Sequence, residues 1–256
     1  PVRRLLILYI KEKKKSTYLK KNFDIAKKRI EEHKIFGRTL FVDNGTLEVG
    51  IPLDYGIRLA HLSYRGEENL FYTQPDNMTD LTTHDGWRVR GGHRLWVAPE
   101  SENNVYFPDN SPIDYQLGDD SVTLFQDNDP WLNIKKSIKL TFTDDESIEL
   151  EHEIVNTGDV VKKCAVWPVT SVAPCGIEYI PLPYRDFGAD PLHCITLWDY
   201  TSLGDRRAKY ERELITLRHE PAEEKYKIGV GHPLGSVKYI NKGVIFEKVL
   251  DVNRDL

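Results

Sequence analysis

The chain has 256 residues, with 35 Lys and Arg against 40 Asp and Glu, three cysteines and a hydrophobic content of 40%. This composition indicates an ordered globular protein and excludes a disordered chain or a disulfide framework. Charge is uneven, because residues 1–38 carry 13 Lys and Arg against 4 Asp and Glu, whereas the remainder carries 22 against 36. An acidic body argues against a nucleic-acid groove, which needs clustered cations.

The hydrophobic run at residues 5–10 is too short for a signal-peptide core or a membrane span. We therefore predict no export signal and no membrane partner. The three cysteines are Cys164, Cys175 and Cys194, and none lies in a CxxC spacing. They indicate reduced thiols in a cytoplasmic protein.

Residues 16–34 show the period of one amphipathic helix. Apolar residues recur there at three- and four-residue spacing: Leu19, Phe23, Ala26 and Ile30. We therefore expect residues 1–36 to form a basic helical lead and residues 37–256 to form one β domain. Such a lead could contact a membrane surface or RNA, but a helix resting on the protein's own acidic domain is favoured.

After Gly37 the apolar period changes to two, which predicts strands. The predicted strands cover 47–51, 57–64, 122–126, 134–143, 148–156, 163–173, 193–198, 212–219 and 237–248. Turn sequences separate them, such as Asn156-Thr157-Gly158-Asp159 and Asn241-Lys242-Gly243. About a dozen strands in one sheet would curl or split, so we predict an all-β fold of two antiparallel sheets packed face to face.

The stretch 87–100, WRVRGGHRLWVAPE, has the composition of a ligand site. Its two glycines let the backbone bend and approach a ligand, its tryptophans offer flat apolar faces, and its arginines and glutamate offer forked hydrogen bonding. A sugar needs this mixture. The predicted sugar-binding residues of the stretch are Arg90, Arg94, Trp96 and Glu100. A bend at a sheet edge, with paired arginines and core tryptophans, explains the same composition equally well.

Two irregular stretches, 74–85 and 101–112, flank this segment, and long loops beside a Gly-Gly bend are typical of a pocket in a β-sandwich.

Arg90-Gly91-Gly92-His93 lacks the spacing and lysine of a phosphate loop, and no histidine or cysteine spacing fixes a metal. We therefore predict no cofactor and no metal. The functions that remain are acid–base catalysis and binding without catalysis. His93 and Glu100 are candidates by residue type for the acid–base pair that opens an aldose ring. A structural role is the more frequent one for a single histidine.

Several motifs occur in an order that is typical of one known family. They are Asn44-Gly45-Thr46-Leu47-Glu48-Val49, Asp54-Tyr55-Gly56-Ile57-Arg58-Leu59, Gly66-Glu67-Glu68-Asn69-Leu70-Phe71, Arg90-Gly91-Gly92-His93, Glu151-His152-Glu153-Ile154-Val155-Asn156-Thr157-Gly158 and Trp167-Pro168-Val169-Thr170. Together they resemble the galactose mutarotase-like superfamily, the aldose 1-epimerase fold, and especially its bacterial branches, over about residues 38–250. The Arg-Gly-Gly turn is similar to that of its hexose-phosphate epimerases.

The resemblance implies a two-sheet supersandwich with a cleft for a hexose or sugar phosphate on one concave face. Beside Arg90, His93 and Arg94, the resemblance adds further pocket residues: Trp167, Thr170, Asp205 and Arg206. In two places the sequence departs from the pattern of the family's catalytic residues. The general-acid histidine that follows the Asn-Thr turn in active epimerases is absent from residues 166–174, and the chain ends soon after residues 246–248. The family's general-base glutamate lies on a later strand, so a C-terminal truncation is one explanation.

Three hypotheses follow. The first is a carbohydrate-active protein of the aldose 1-epimerase type, in which His93 assists proton transfer. The second is a non-catalytic carbohydrate-binding or sensing module on the same fold. The third is a partner-binding protein whose cleft is vestigial and whose basic lead makes the contact.

Overall fold

The computed structural model describes residues 4–11, 27–74, 86–184, 194–220, 224–231 and 234–250, and for 4–11 the backbone alone. The chain divides into two compact units. The central unit is Ile10–Ala173, and the terminal unit combines Pro1–Tyr9 with Pro174–Leu256. Residues 36 and 37, between which the sequence predicts a boundary, lie at the turn of a hairpin within the central unit.

After β1 (Arg4–Lys11), the central unit contains β2 (Lys27–His33), β3 (Gly37–Asp43), β4 (Leu47–Pro52), β5 (Arg58–Leu59), β6 (His61–Tyr64), β7 (His93–Ala98), α1 (Glu102–Val105), β8 (Asp114–Leu117), β9 (Ser121–Asp129), β10 (Ile134–Asp144), β11 (Ser147–Asn156) and β12 (Ala165–Thr170). The strands pair antiparallel in the orders β2-β3-β4-β6, β5-β7-β12 and β8-β9-β10-β11. The predicted all-β class is confirmed, and the strands form several antiparallel sheets; the predicted arrangement as two sheets packed face to face stays a prediction.

The interior of the central unit is built from strands whose side chains alternate between buried and more exposed positions. On β10, Ile138, Leu140 and Phe142 are buried and the residues between them are partly exposed. Because successive side chains point to opposite faces of a strand, this alternation places one face of β10 in the core. The period of two that predicted the strand therefore reflects burial of one face.

The helix predicted for residues 16–34 is wrong over its described part. Residues 27–33 form β2, which pairs along its whole length with β3, and residues 12–26 lie outside the described residues. Ile30 is half exposed opposite Leu40, so β2 has no buried apolar face. Its ladder hydrogen bonds and a salt bridge from Arg29 to Glu48 at 2.7 Å hold the strand at the sheet edge.

The terminal unit contains, besides β1, β13 (Ile177–Pro181), β14 (Cys194–Leu197), β15 (Ala208–Tyr210), β16 (Leu214–Arg218), β17 (Ile228–Gly231), β18 (Ser236–Asn241) and β19 (Val244–Leu250). One sheet has the order β15-β16-β13-β18-β19-β1, and β14 pairs with β17. Ile180, Leu182 and Ile215 form its buried apolar centre. The predicted hairpin turn is confirmed: β18 and β19 are joined by Lys242 and Gly243, both with positive φ.

None of the helices in the described ranges is long and apolar enough to cross a membrane.

Candidate functional site

A sharp turn precedes β7 and positions the arginines of the 87–100 stretch. Arg90, Gly91 and Gly92 all have positive φ, at 48°, 74° and 74°. A Cβ on Gly91 would collide with the carbonyl oxygen of Tyr72, and one on Gly92 would collide with that of Leu59. Only glycine combines this conformation with so close a backbone approach, so the Gly-Gly pair brings the start of β7 tightly against its neighbours.

Arg58 on β5 lies directly opposite Arg94 on β7 in the antiparallel register. Like charges in such a position repel each other. Asp109 compensates, because its Oδ2 accepts hydrogen bonds from Nη2 of Arg58 at 2.5 Å and from Nη2 of Arg94 at 3.1 Å. The Arg58 side chain is fully buried, and those of Arg94 and Asp109 are 8% and 10% exposed. We call Arg58, Arg90, Arg94 and Asp109 the arginine cluster.

The loop between α1 and β8 carries Asp109 into this position. The side-chain amide of Asn110 donates to the carbonyl oxygen of Gly86 at 2.7 Å, and the backbone N–H of Ile113 donates to Leu53 at 2.9 Å. Gly56 has a φ of +27°, and a Cβ there would overlap the carboxyl group of Asp109. The absence of a side chain at residue 56 therefore makes room for the carboxylate.

Aromatic rings cover the guanidinium groups of the cluster. The Cζ atom of Arg90 lies 3.9 Å from the ring centroid of Tyr55. That of Arg94 lies 4.9 Å from the Trp96 ring and 5.5 Å from the Trp87 ring. Cation–π contacts of this kind hold a planar guanidinium in place and keep water from its faces. The arginines are thereby oriented before any ligand arrives.

Burial disfavours the charged forms of the side chains in the arginine cluster. It lowers the pKa of Arg94 to about 10, an effect that Asp109 opposes and that Arg58 and Arg90 reinforce. Burial alone would raise the pKa of Asp109, but the charges of Arg58, Arg94 and Arg90 outweigh it and hold that pKa below its ordinary value. Arg58 and Arg94 thus share one ionised carboxylate, and an additional anion beside them would be stabilised.

Several polar atoms around the cluster are buried without a hydrogen-bond partner among the described residues. The donors are Nε and Nη1 of Arg58 and the indole N–H groups of Trp87 and Trp96, and the acceptor is Oδ1 of Asp109. An unmet buried polar atom costs about 1–3 kcal/mol, so a group of them in one place indicates a ligand or ordered water. Strong donors, one carboxylate oxygen and aromatic faces suit a ligand that has both hydroxyl or anionic oxygens and an apolar face.

His93 lies in the interior of the central unit and not among the arginines. Its side chain is fully buried. Its Nδ1 lies 2.8 Å from Oγ1 of Thr170, directly opposite on β12, and its Nε2 lies 2.9 Å from Nε2 of His152 on β11. Both ring nitrogens are thus engaged by protein groups, and the imidazole joins three strands. Successive residues of a strand face opposite sides, so Arg94 points away from this pair. The catalytic role of His93 stays a prediction.

The other residues predicted from the central unit occupy different positions. Trp167 lies opposite Trp96 in the register, and the two rings meet edge-on with centroids 5.5 Å apart. Both rings are half-buried. Because the Trp96 ring covers Arg94, the Trp167 ring extends the aromatic surface beside the arginine cluster. Thr170 contacts His93 instead of the arginines. Glu100 is exposed and accepts a hydrogen bond from the hydroxyl of Tyr106 at 3.1 Å.

Asp205 and Arg206 belong to the terminal unit. Asp205 pairs with Arg207 at 2.5 Å, and Arg206 is exposed. Hydrogen bonds from the side chain and backbone of Arg207 lower the pKa of Asp205 to about 2. Their predicted place in the sugar pocket stays a prediction.

Lowering the pH should remove the effect of Asp109 in a defined range. Its ionised form stabilises the folded chain fully above pH 3.8, its ordinary pKa, and this contribution is lost as the pH falls through the lower pKa of the folded protein. The difference in unfolding free energy between the natural chain and Asp109→Asn should therefore stay constant from about pH 7 to about 5 and shrink below 3.8. Urea unfolding at each pH measures it. A difference that widens in acid would contradict this assignment.

The arginine cluster contains Arg90 and Arg94 of the 87–100 stretch, and sequence reasoning did not assign Arg58, Asp109 or Tyr55 to the site. Among the described residues, no group of three or more His, Cys, Asp or Glu side chains is arranged to hold a metal ion. Comparison of the chain with protein-family models, with curated proteins and with solved structures gives no match. Function is therefore argued from the geometry of the arginine cluster.

Proposed function

We propose that the central unit binds a small carbohydrate, a hexose or a sugar phosphate, at the arginine cluster. The observation that supports this most strongly is the set of buried donors on Arg58, Trp87 and Trp96 that have no partner among the described residues. The frame that we propose for the site is the two-sheet supersandwich of the galactose mutarotase-like superfamily, which the ordered sequence motifs resemble.

The chemistry of the site matches such a ligand in three respects. Guanidinium and indole N–H groups donate to hydroxyl or phosphate oxygens, and a charge-assisted hydrogen bond to an anionic oxygen is about twice as strong as a neutral one. Oδ1 of Asp109 can accept a hydrogen bond from a sugar hydroxyl. The half-buried rings of Trp96 and Trp167 offer an apolar wall for the C–H face of a sugar ring.

The geometry favours binding over catalysis. A general acid must reach the ring oxygen of the sugar, and His93 has both ring nitrogens engaged by Thr170 and His152 in the interior. We therefore put a non-catalytic binding or sensing module first. An aldose 1-epimerase is the second candidate, because Oδ1 of Asp109 has no partner among the described residues and a carboxylate can accept a proton. The lowered pKa of Asp109 makes it a weak base, which puts this candidate second.

Arg94→Gln should weaken sugar-phosphate binding by about 10- to 100-fold, because it removes a buried charged donor. NMR of freshly dissolved glucose, galactose and their 6-phosphates measures this, since line broadening reports binding and α-to-β exchange reports epimerase activity. Arg38→Gln is the matched control, because Arg38 pairs with Asp54 on the exposed surface. Thermal unfolding of both variants shows whether the site variant is still folded.

Broadening by the natural chain without faster anomer exchange would support a binding module. Faster exchange that Arg94→Gln abolishes would support the epimerase, with an acid other than the family's histidine. Equal binding by the natural chain, Arg94→Gln and Arg38→Gln would show that the arginine cluster is not the carbohydrate site.

A further inference from the structure

A cavity lies in the central unit, and no residue of the arginine cluster lines it. Its volume is about 300 Å³. This is at the lower end of the range for small-molecule sites, about 300–1,000 Å³, and suits a ligand with a single ring. The lining residues that bear on its chemistry are Trp131, Ile134, Lys162, Lys163 and Cys164.

Trp131 provides a flat apolar face that is already held in position. Its side chain is exposed on the surface, at 48% of its full area, and its ring meets that of Phe107 edge-on with centroids 5.6 Å apart. The buried carboxylate of Asp129 accepts hydrogen bonds from the backbone N–H groups of Trp131 at 2.9 Å and of Leu132 at 3.2 Å. The turn that carries the indole is thus fixed, which lowers the entropic cost of stacking a ring on it.

The charge in the cavity is positive although the protein as a whole is acidic. Lys162 and Lys163 both line it, neither forms an ion pair with any described residue, and no Asp or Glu is among the described lining residues. The chain has a net charge of −5. Two adjacent cations in a concave surface raise the local concentration of anions, so unpaired lysines here indicate an anionic ligand.

We propose that this cavity binds a small anionic ring compound, whose ring stacks on Trp131 and whose carboxylate or phosphate contacts Lys162 and Lys163. An acidic sugar and an aromatic carboxylate share this chemistry. The site is separate from the carbohydrate site proposed above, and it can exist whether or not that proposal is correct.

Cys164 supplies a local reporter, because it is a free, exposed thiol that lines the cavity. Alkylation by iodoacetamide, followed by peptide mass spectrometry, measures its rate with Cys194 as an internal control, an exposed free thiol of the terminal unit. The anionic probes are glucuronate and benzoate, and the neutral matches are glucose and benzyl alcohol. At about four times its Kd, an anionic probe should slow alkylation of Cys164 about fivefold and leave Cys194 unchanged.

Replacing both lysines, as Lys162→Gln with Lys163→Gln, should raise the Kd measured by protection at least about tenfold, since the charged contacts are removed. At the same probe concentration the slowing should then fall from about fivefold to about 1.4-fold or less. Lys135→Gln is the control for a lysine that is exposed on β10 and does not line the cavity. Rates are normalised to each variant without probe, so that only the change caused by the probe is compared. Trp131→Leu should reduce protection while leaving the charges intact.

The outcomes separate the sources of the ligand. Protection by glucuronate alone assigns an acidic sugar, and protection by benzoate alone assigns an aromatic acid. The proposal is overturned if neither anion protects Cys164, if the neutral probes protect it equally, or if protection survives the double lysine replacement.

Discussion

Asp109→Asn should lower the free energy of unfolding by about 3–5 kcal/mol at neutral pH, which is the usual cost of breaking a buried ion pair on one side. The substitution leaves Arg58 and Arg94 buried, opposite each other and without the carboxylate that bridges them. Urea unfolding followed by tryptophan fluorescence measures the loss, because Trp87 and Trp96 lie against Arg94.

The matched control is Asp54→Asn, which breaks an exposed pair with Arg38 and should cost at most about 1 kcal/mol. Phosphate or sulfate should restore part of the lost stability in Asp109→Asn and little in Asp54→Asn, since an anion that binds only the folded state stabilises it. Equal losses in the two variants would show that the bridging carboxylate of Asp109 is not needed. Equal responses to phosphate would remove the case for an anion site at the arginines.

Gly92→Ala should destabilise the chain by about 2–5 kcal/mol, the sum of a left-handed backbone penalty and of steric overlap. Gly92 has a φ of +74°, and a methyl group there would collide with the carbonyl oxygen of Leu59. Because the turn leads directly into β7, the folded fraction should also bind sugar phosphate more weakly. Thermal unfolding and the NMR titration measure the two effects.

The variant Gly45→Ala separates the backbone penalty from the effect of steric overlap. Gly45 also has a positive φ, at +92°, but no atom lies within 4 Å of the place its Cβ would take. It should therefore show the backbone penalty alone, about 1–2 kcal/mol. If Gly92→Ala costs no more than Gly45→Ala, the close approach at the turn contributes nothing to stability.

The sequence pattern predicted β10 correctly, because burial of one face imposes a period of two on its apolar residues. β8 was not predicted, because its four residues are all exposed and its order comes from pairing with β9. The helix predicted across residues 27–33 fails for the same reason. Ile30 does not face a core there, so its spacing from other apolar residues carries no information about the fold.

The candidate site was predictable in part. Arg90, Arg94 and Trp96 stand together in a local stretch of unusual composition, and the structure keeps them together. Arg58 and Asp109 gave no such signal, because strand register and loop closure bring them to Arg94 from distant positions in the chain. His93 was assigned by residue type, and only the fold shows that the Thr170 hydroxyl and a second imidazole occupy its ring nitrogens.

The carboxyl group of Asp109 packs against the backbone of Gly56, so the substitutions tolerated at one of these positions depend on the residue at the other. A descendant that acquired alanine at residue 56 would displace the carboxylate and leave Arg58 and Arg94 uncompensated, so selection would remove it while the arginines are needed. A descendant that had already lost Asp109 would avoid that collision and would bear only the backbone penalty of the positive φ at residue 56. Alanine at residue 56 is therefore expected to cost more in the presence of Asp109 than in its absence, so substitutions at the two sites should be epistatic.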